Sequence, residues 1–275
     1  MSARMTTLAD AMGAIPDGAS VAVTKFNPME AVRELIRQQR TGLHVIGVPT
    51  AGFAVDLLIA AGCVGVVETG AFVLGSHGSA RNHLRAVEDG GLRLIESSCP
   101  LIEMQLRAGA AGFSFTPILG LFGSDMLAER AELKVIDDPY DPDYEVVIAP
   151  SLRPDFAIIH ALRGDRDGNV VTTIHNEDRL IVQAAGHVIV TVEEIRDDAL
   201  DGLAADEQVI PGMYFDAVVV APGGARPLAC PRHYAEDRGA VEAYLAAAKS
   251  ADSMVRYVEG LRSPQKADAD VSVHA

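Results

Sequence analysis

Short runs rich in Val and Ile alternate along this chain with longer stretches whose apolar residues recur at helical spacing. A helix is predicted over 7–14, entered through Thr6 or Thr7 as cap and ended by the turn Ile15-Pro16-Asp17-Gly18. A first strand follows at 20–23. A second helix over 28–39 puts Pro28 in its first turn and Val32, Leu35 and Ile36 on one apolar face. The alternation continues with strand 44–48, helix 53–61, strand 65–69, helix 79–89 and strand 92–96, a rhythm that predicts βαβ units and a mostly parallel sheet.

Beyond a helix over 101–111, the segment FTPILGLFGSD at 115–125 is broken by Pro and Gly and reads as a loop wall rather than a strand. Strands resume at 146–148, 156–162, 187–192 and 217–220, with a tight turn at 166–169 and a break at Pro211-Gly212-Met213. The tail 263–275 lacks apolar periodicity and is expected to be disordered, leaving 1–262 as one domain. The fold class predicted is α/β, an open sandwich with helices on both faces of the sheet.

Composition narrows the function. With 275 residues, 49% of them hydrophobic, the chain can bury a large core. A formal charge of −15 with scattered Lys and Arg argues against a nucleic-acid partner. Three cysteines without a C-x-x-C spacing favour neither a disulfide framework nor a zinc cage, and a reducing cytoplasm is expected. No apolar run approaches the length that crosses a bilayer, so no membrane partner is expected.

In open α/β sheets ligands bind beyond the carboxyl ends of the strands. Those ends present Thr24-Lys25-Phe26, Thr50-Ala51-Gly52, Glu68-Thr69-Gly70 and Glu96-Ser97-Ser98. Thr50, Gly52, Thr69, Gly70 and, from the polar loop Gly75-Ser76-His77-Gly78-Ser79, Ser76 are the expected substrate contacts. Glu96 is the local candidate for a nucleophile or general base, provided that it is desolvated; the competing reading makes it a cap for the next helix. His160 closes an apolar strand and reads as a hydrogen-bonded structural histidine. No metal site is expected: H-E-x-x-H is absent, and Asp165-Arg166-Asp167-Gly168-Asn169 has its glycine too early for a calcium loop. Neither a dinucleotide fingerprint nor a Walker A sequence is present.

Four segments, DPYDPDYE at 138–145, AIIHALRGDRDGN at 157–169, VTVEEI at 190–195 and IPGMYFDAVVVAPGGARPLAC at 210–230, occur in an order that resembles the alpha subunits of family I coenzyme A transferases, glutaconate CoA-transferase above all. The resemblance implies the CoA-transferase fold, coenzyme A or acyl-CoA as substrate with no permanently bound cofactor, and a homologous beta subunit in a heterotetramer or larger assembly. It also implies that the nucleophilic glutamate sits on the beta subunit, where it attacks the thioester to give an acyl-glutamyl anhydride. This chain departs from the family's glycine pair after the first strand, carrying Thr24-Lys25-Phe26. The resemblance extends to cholesterol-ring-opening CoA hydrolases, which keeps open a hydrolase using Glu96 of this chain as base. A noncatalytic sensor or scaffold on the same fold is the third expectation.

Overall fold

A computed structural model describes residues 4–25 and 28–262. The expected tail at 263–275 and Phe26 lie outside the described residues. The first half runs β1 (Arg4–Met5), α1 (Leu8–Gly13), β2 (Ser20–Thr24), α2 (Met29–Arg37), β3 (Leu43–Val48), α3 (Phe53–Ala60), β4 (Val64–Thr69), α4 (Arg81–Glu88) and β5 (Arg93–Glu96). There follow α5 (Cys99–Ala110), β6 (Phe115–Ile118), α6 (Asp125–Glu129), β7 (Lys134–Asp137) and β8 (Glu145–Pro150). The second half contains β9 (Phe156–Ala161), β10 (Arg163–Gly164), β11 (Val170–Thr173), α7 (Asp178–Ala184), β12 (His187–Val192), β13 (Glu207–Ile210), β14 (Ala217–Val220), α8 (Arg238–Ala247) and α9 (Ala251–Arg262).

Eight strands form one sheet in the order β1-β14-β12-β9-β2-β3-β4-β5, every neighbouring pair parallel. Side-chain alternation then builds two cores. Val21, Val23, Val45, Ile158 and Ile189 enter one with α1, α2, α3, α8 and α9. Ala22, Ile46, Ala157, Ile159 and Val190 enter the other with α5 and α7. Both faces are covered, which is why β9 opens with the apolar run Phe156–Ile159 and is buried along its whole length. The predicted α/β class and mostly parallel sheet match this architecture.

Two corrections concern the segment after α5. The predicted loop wall contains β6, which pairs antiparallel with β8, and β8 pairs antiparallel with β7. The predicted strand at 146–148 therefore belongs to a separate three-stranded sheet, not to the parallel one. Pro117 made the segment look broken. It sits on β6, an edge strand, where a missing N–H costs no ladder bond. The turn at 166–169 joins β10 and β11 in a hairpin, closed by the Asn169 and Gly168 amides donating to Asp165. Helices α7, α8 and α9 were not predicted; α8 and α9 are held by burial of Val241, Tyr244, Met254 and Val258.

Candidate active site

A cleft of about 770 Å³ opens at the carboxyl ends of β2, β3 and β4. That volume lies within the range of small-molecule sites. Lys25 comes from the end of β2, Thr50 and Gly52 from the β3–α3 connection, and Gly75, Ser76 and His77 from the loop before α4. Leu228, Ala229 and Glu236 close the opposite side with His175. Phe53, Val73, Leu74 and Leu228 supply apolar wall.

Three of the five expected contacts, Thr50, Gly52 and Ser76, line this cleft. Thr69 and Gly70 do not; they brace it from behind. The single Thr69 hydroxyl proton lies between the Gly47 (3.1 Å) and Ala71 (2.9 Å) carbonyls, and its oxygen receives the Ala51 amide at 2.9 Å, so the group is consumed by the backbone. Gly70 lets two segments touch: a Cβ there would stand 2.6 Å from the Cys99 nitrogen and 2.9 Å from the Pro49 oxygen. Glu96 ends β5 as expected but is exposed and is not among the residues lining the cleft, so the desolvation expected of a nucleophile is missing in this chain. Nor does it cap α5. Ser98 does, its hydroxyl accepting from the Leu101 amide.

Glu236 is the one carboxylate among the described residues that line the cleft, and it pairs with His77 at 3.0 Å from Nε2. The His77 ring also meets the edge of Phe53. The loop carrying Ser76 and His77 is fixed from its far end by buried Asp56, which accepts from the His83 amide, from Asn82 Nδ2 and from the Tyr244 hydroxyl. Burial raises Asp178, whose carboxyl is nonetheless bonded by Thr172, Thr24 and Asn176. It thereby ties the end of β2 beside Lys25 to the loop that carries His175.

The second anchoring group lies under the loop at 221–229. His160, at the end of β9, meets Thr191 through Nδ1 and Glu193 through Nε2, each at 2.8 Å. A carboxylate only accepts, so Nε2 carries the proton toward Glu193. Glu193 also accepts from the Gly223 amide at 2.7 Å and from the Tyr234 hydroxyl. Burial raises a carboxyl pKa, yet the bonds from His160, Tyr234 and Gly223 overcome it and hold Glu193 at about 2. Gly224 packs directly on the imidazole; a Cβ there would sit 2.5 Å from His160 Cε1. His160 thus has the hydrogen-bonded environment expected of a structural histidine.

His160, Glu193 and Cys230 place ligand-type atoms within 4.8 Å of one another. Both ring nitrogens and both carboxylate oxygens already have protein partners, and burial followed by the Glu193 charge pushes the Cys230 thiol up to about 12. The group works as a hydrogen-bonded knot. Sequence reasoning missed Glu193, Tyr234, Asp178 and Glu236 as shapers of the cleft. One signal was available: VTVEEI puts an acid directly after a buried parallel strand, at the end of the sheet where the cleft lies.

The family described as Coenzyme A transferase matches residues 5–221. The chain is 31% identical over 268 residues to the A subunit of 3-oxoadipate CoA-transferase from Pseudomonas knackmussii, covering 94% of this chain and 93% of that protein. It is 32% identical over 263 residues to the A subunit of glutaconate CoA-transferase from Acidaminococcus fermentans, covering 88% and 82%. An uncharacterised protein of Archaeoglobus fulgidus is 34% identical over 253 residues, and there the match covers 89% of this chain but 56% of the relative's length. Among solved structures, a variant of the decarboxylase AibA/AibB superposes with a TM-score of 0.84 at 31% identity, covering 95% of this chain and 99% of that one. Glutaconate CoA-transferase from Acidaminococcus fermentans gives a TM-score of 0.84 at 29% identity, covering 94% and 88%. A parallel sheet with its cleft at the strand ends, matched by sequence over most of its length, places this chain in the coenzyme A transferase family.

Proposed function

We propose that this chain is the A-type subunit of a two-component CoA transferase, moving coenzyme A between an acyl-CoA thioester and a small or medium carboxylic acid. The observation that carries the reading is a cleft with an apolar wall and, among its described residues, a single carboxylate, Glu236, already engaged by His77. Such a cleft can hold and orient an acyl group but offers no unengaged carboxylate of its own to attack the thioester. The nucleophile then comes from a beta-type partner, and the two relatives named as A subunits support that division. Thr50 and Ser76 offer hydroxyl donors, while Phe53, Leu74 and Leu228 exclude the water that would turn transfer into hydrolysis. The hydrolase alternative asks Glu96 to act as a desolvated base, and its exposure on edge strand β5 speaks against that role.

The test is to purify the chain alone and with its beta-type partner and to assay CoA exchange between an acyl-CoA and a free carboxylate. Transfer is expected from the pair only; robust turnover by the isolated chain refutes the division of labour. Glu96→Gln separates the alternatives. The transferase reading expects a modest fall in kcat, the hydrolase reading a near-complete loss.

A further inference from the structure

The sheet β6-β8-β7 carries apolar residues on both faces. Its inner face, Ile118, Val147 and Ala149, packs with Leu101 of α5 and needs no further partner. Its register places Phe115, Pro117, Ile148, Val146 and Ile136 together on the other face, with Lys134 as its one charged member. An antiparallel sheet with one solvated face normally carries polar residues there. Here Phe115 and Ile136 are exposed, and adjoining loops add Leu119 at 89% exposure, Phe122, Tyr140 at 95% and Tyr144. Exposed large apolar side chains gathered on one sheet face and in the loops that flank it mark an interface.

Charge says what covers it. Three acids, Asp138, Asp141 and Asp143, and no Lys or Arg occupy the β7–β8 connection at 138–144, at one end of this face, while Asp137 and Glu145 share the register of the inner face. A second copy of a chain with formal charge −15 would bring the same acids against them, so the rim disfavours self-association. It favours a different protein with basic residues around an apolar centre.

Position says why the contact matters. Arg130, between α6 and β7, donates to Glu68 Oε1 at 3.0 Å and to the Glu96 carbonyl at 3.2 Å. These bonds fasten the small sheet to the carboxyl ends of β4 and β5, the end of the parallel sheet at which the cleft opens. A protein seated on the small sheet would stand beside that opening.

We propose that the outer face of β6-β8-β7, with the loops at 119–122 and 140–144, is the docking surface for the beta-type partner, through an apolar patch with a basic rim on that partner. The proposal rests on the two-component reading above. Beta-type aromatic or aliphatic side chains fill the patch around Phe115 and Ile136, and partner Lys or Arg residues meet Asp138, Asp141 and Asp143.

The test uses the complex formed by co-expression with a beta-type subunit from the same genome. Leu119→Asp and Ile136→Asp lie at exposed positions and should leave the unfolding midpoint of the isolated chain unchanged, while weakening partner binding about 30-fold or more. The double variant Asp141→Lys, Asp143→Lys should slow association and flatten its salt dependence. Hydrogen exchange should show protection at 115–122 and 134–148 when the complex forms. Affinity within about twofold of wild type in the Asp variants, or protection confined to other segments, overturns the proposal. So does a wild-type homodimer that these variants dissociate, because the occupant would then be a second copy. An active pair whose affinity ignores the variants refutes the docking surface and leaves the transferase reading intact. An inactive pair, or no pair, refutes that reading and removes this occupant with it.

Discussion

Replacing Glu193 by Gln keeps the shape of the buried knot and removes its charge. In the folded protein the Glu193 carboxyl is held at about 2 against an ordinary 4.5, because the bonds from His160, Tyr234 and Gly223 outweigh the effect of burial. That difference corresponds to about 3 kcal/mol favouring the folded state once the group is ionised in both states. The folded pKa is the lower one, so the contribution is fully present above pH 4.5 and disappears as pH falls through 2. At pH 3 roughly half of it remains. Glu193→Gln should therefore cost about 2–3 kcal/mol at pH 7: an amide oxygen in the place of Oε1 still accepts from His160 and Tyr234, and the NH2 group faces the Gly223 amide, which loses its acceptor. The gap from wild type should shrink to about half at pH 3.

Urea unfolding of both proteins at the two pH values reads this directly, provided that m is unchanged. Equal stabilities at pH 7 within about 0.5 kcal/mol, or a gap that does not shrink on acidification, would refute the account of the knot. A functional readout follows from the same geometry. Glu193 and Tyr234 hold the loop at 221–229, whose Leu228 and Ala229 line the cleft. Loosening that wall should raise KM more than it lowers kcat in the reconstituted pair.

Gly70→Ala should destabilise by about 2 kcal/mol or more, since the new methyl meets two backbone atoms that cannot move aside cheaply; thermal unfolding checks it, and a neutral result would show that α5 shifts freely. Asp178→Ala strips the acceptor shared by Thr24, Thr172 and Asn176, and should cost about 2–4 kcal/mol with a rise in KM. An unchanged KM would separate Asp178 from the Lys25 and His175 walls. Alkylation at neutral pH followed by mass spectrometry should label Cys99 before the others. Cys63 is buried and pushed up to about 11, and Cys230 to about 12, leaving both as protonated thiols inside the fold. Labelling of Cys230 at the rate of Cys99 would contradict the packed knot.

Local pattern was sufficient wherever one segment's own residues decide its state. The runs at β2, β3, β4, β9, β12 and β14 are apolar because both faces of a parallel sheet are covered, and that signature is legible without any partner strand. The strand ends followed from the same alternation, so Thr50, Gly52 and Ser76 were found as cleft residues. Order along the chain also carried the family, through segments that meet only after folding.

What the pattern did not contain was which groups face one another. Thr69 and Thr50 are both hydroxyls at strand ends, but only tertiary packing turns Thr69 inward onto Gly47 and Ala71 while leaving Thr50 at the cleft. Pro117 breaks a strand unless an edge position spares its missing N–H, and edge status exists only once β8 has paired. Glu236 and His77 are 159 residues apart, and His160 and Glu193 are 33 apart. Helix periodicity and the apolar signature of a buried strand are read from neighbouring residues, whereas a cleft is a juxtaposition of distant segments, so its wall and its buried acids were decided by the fold.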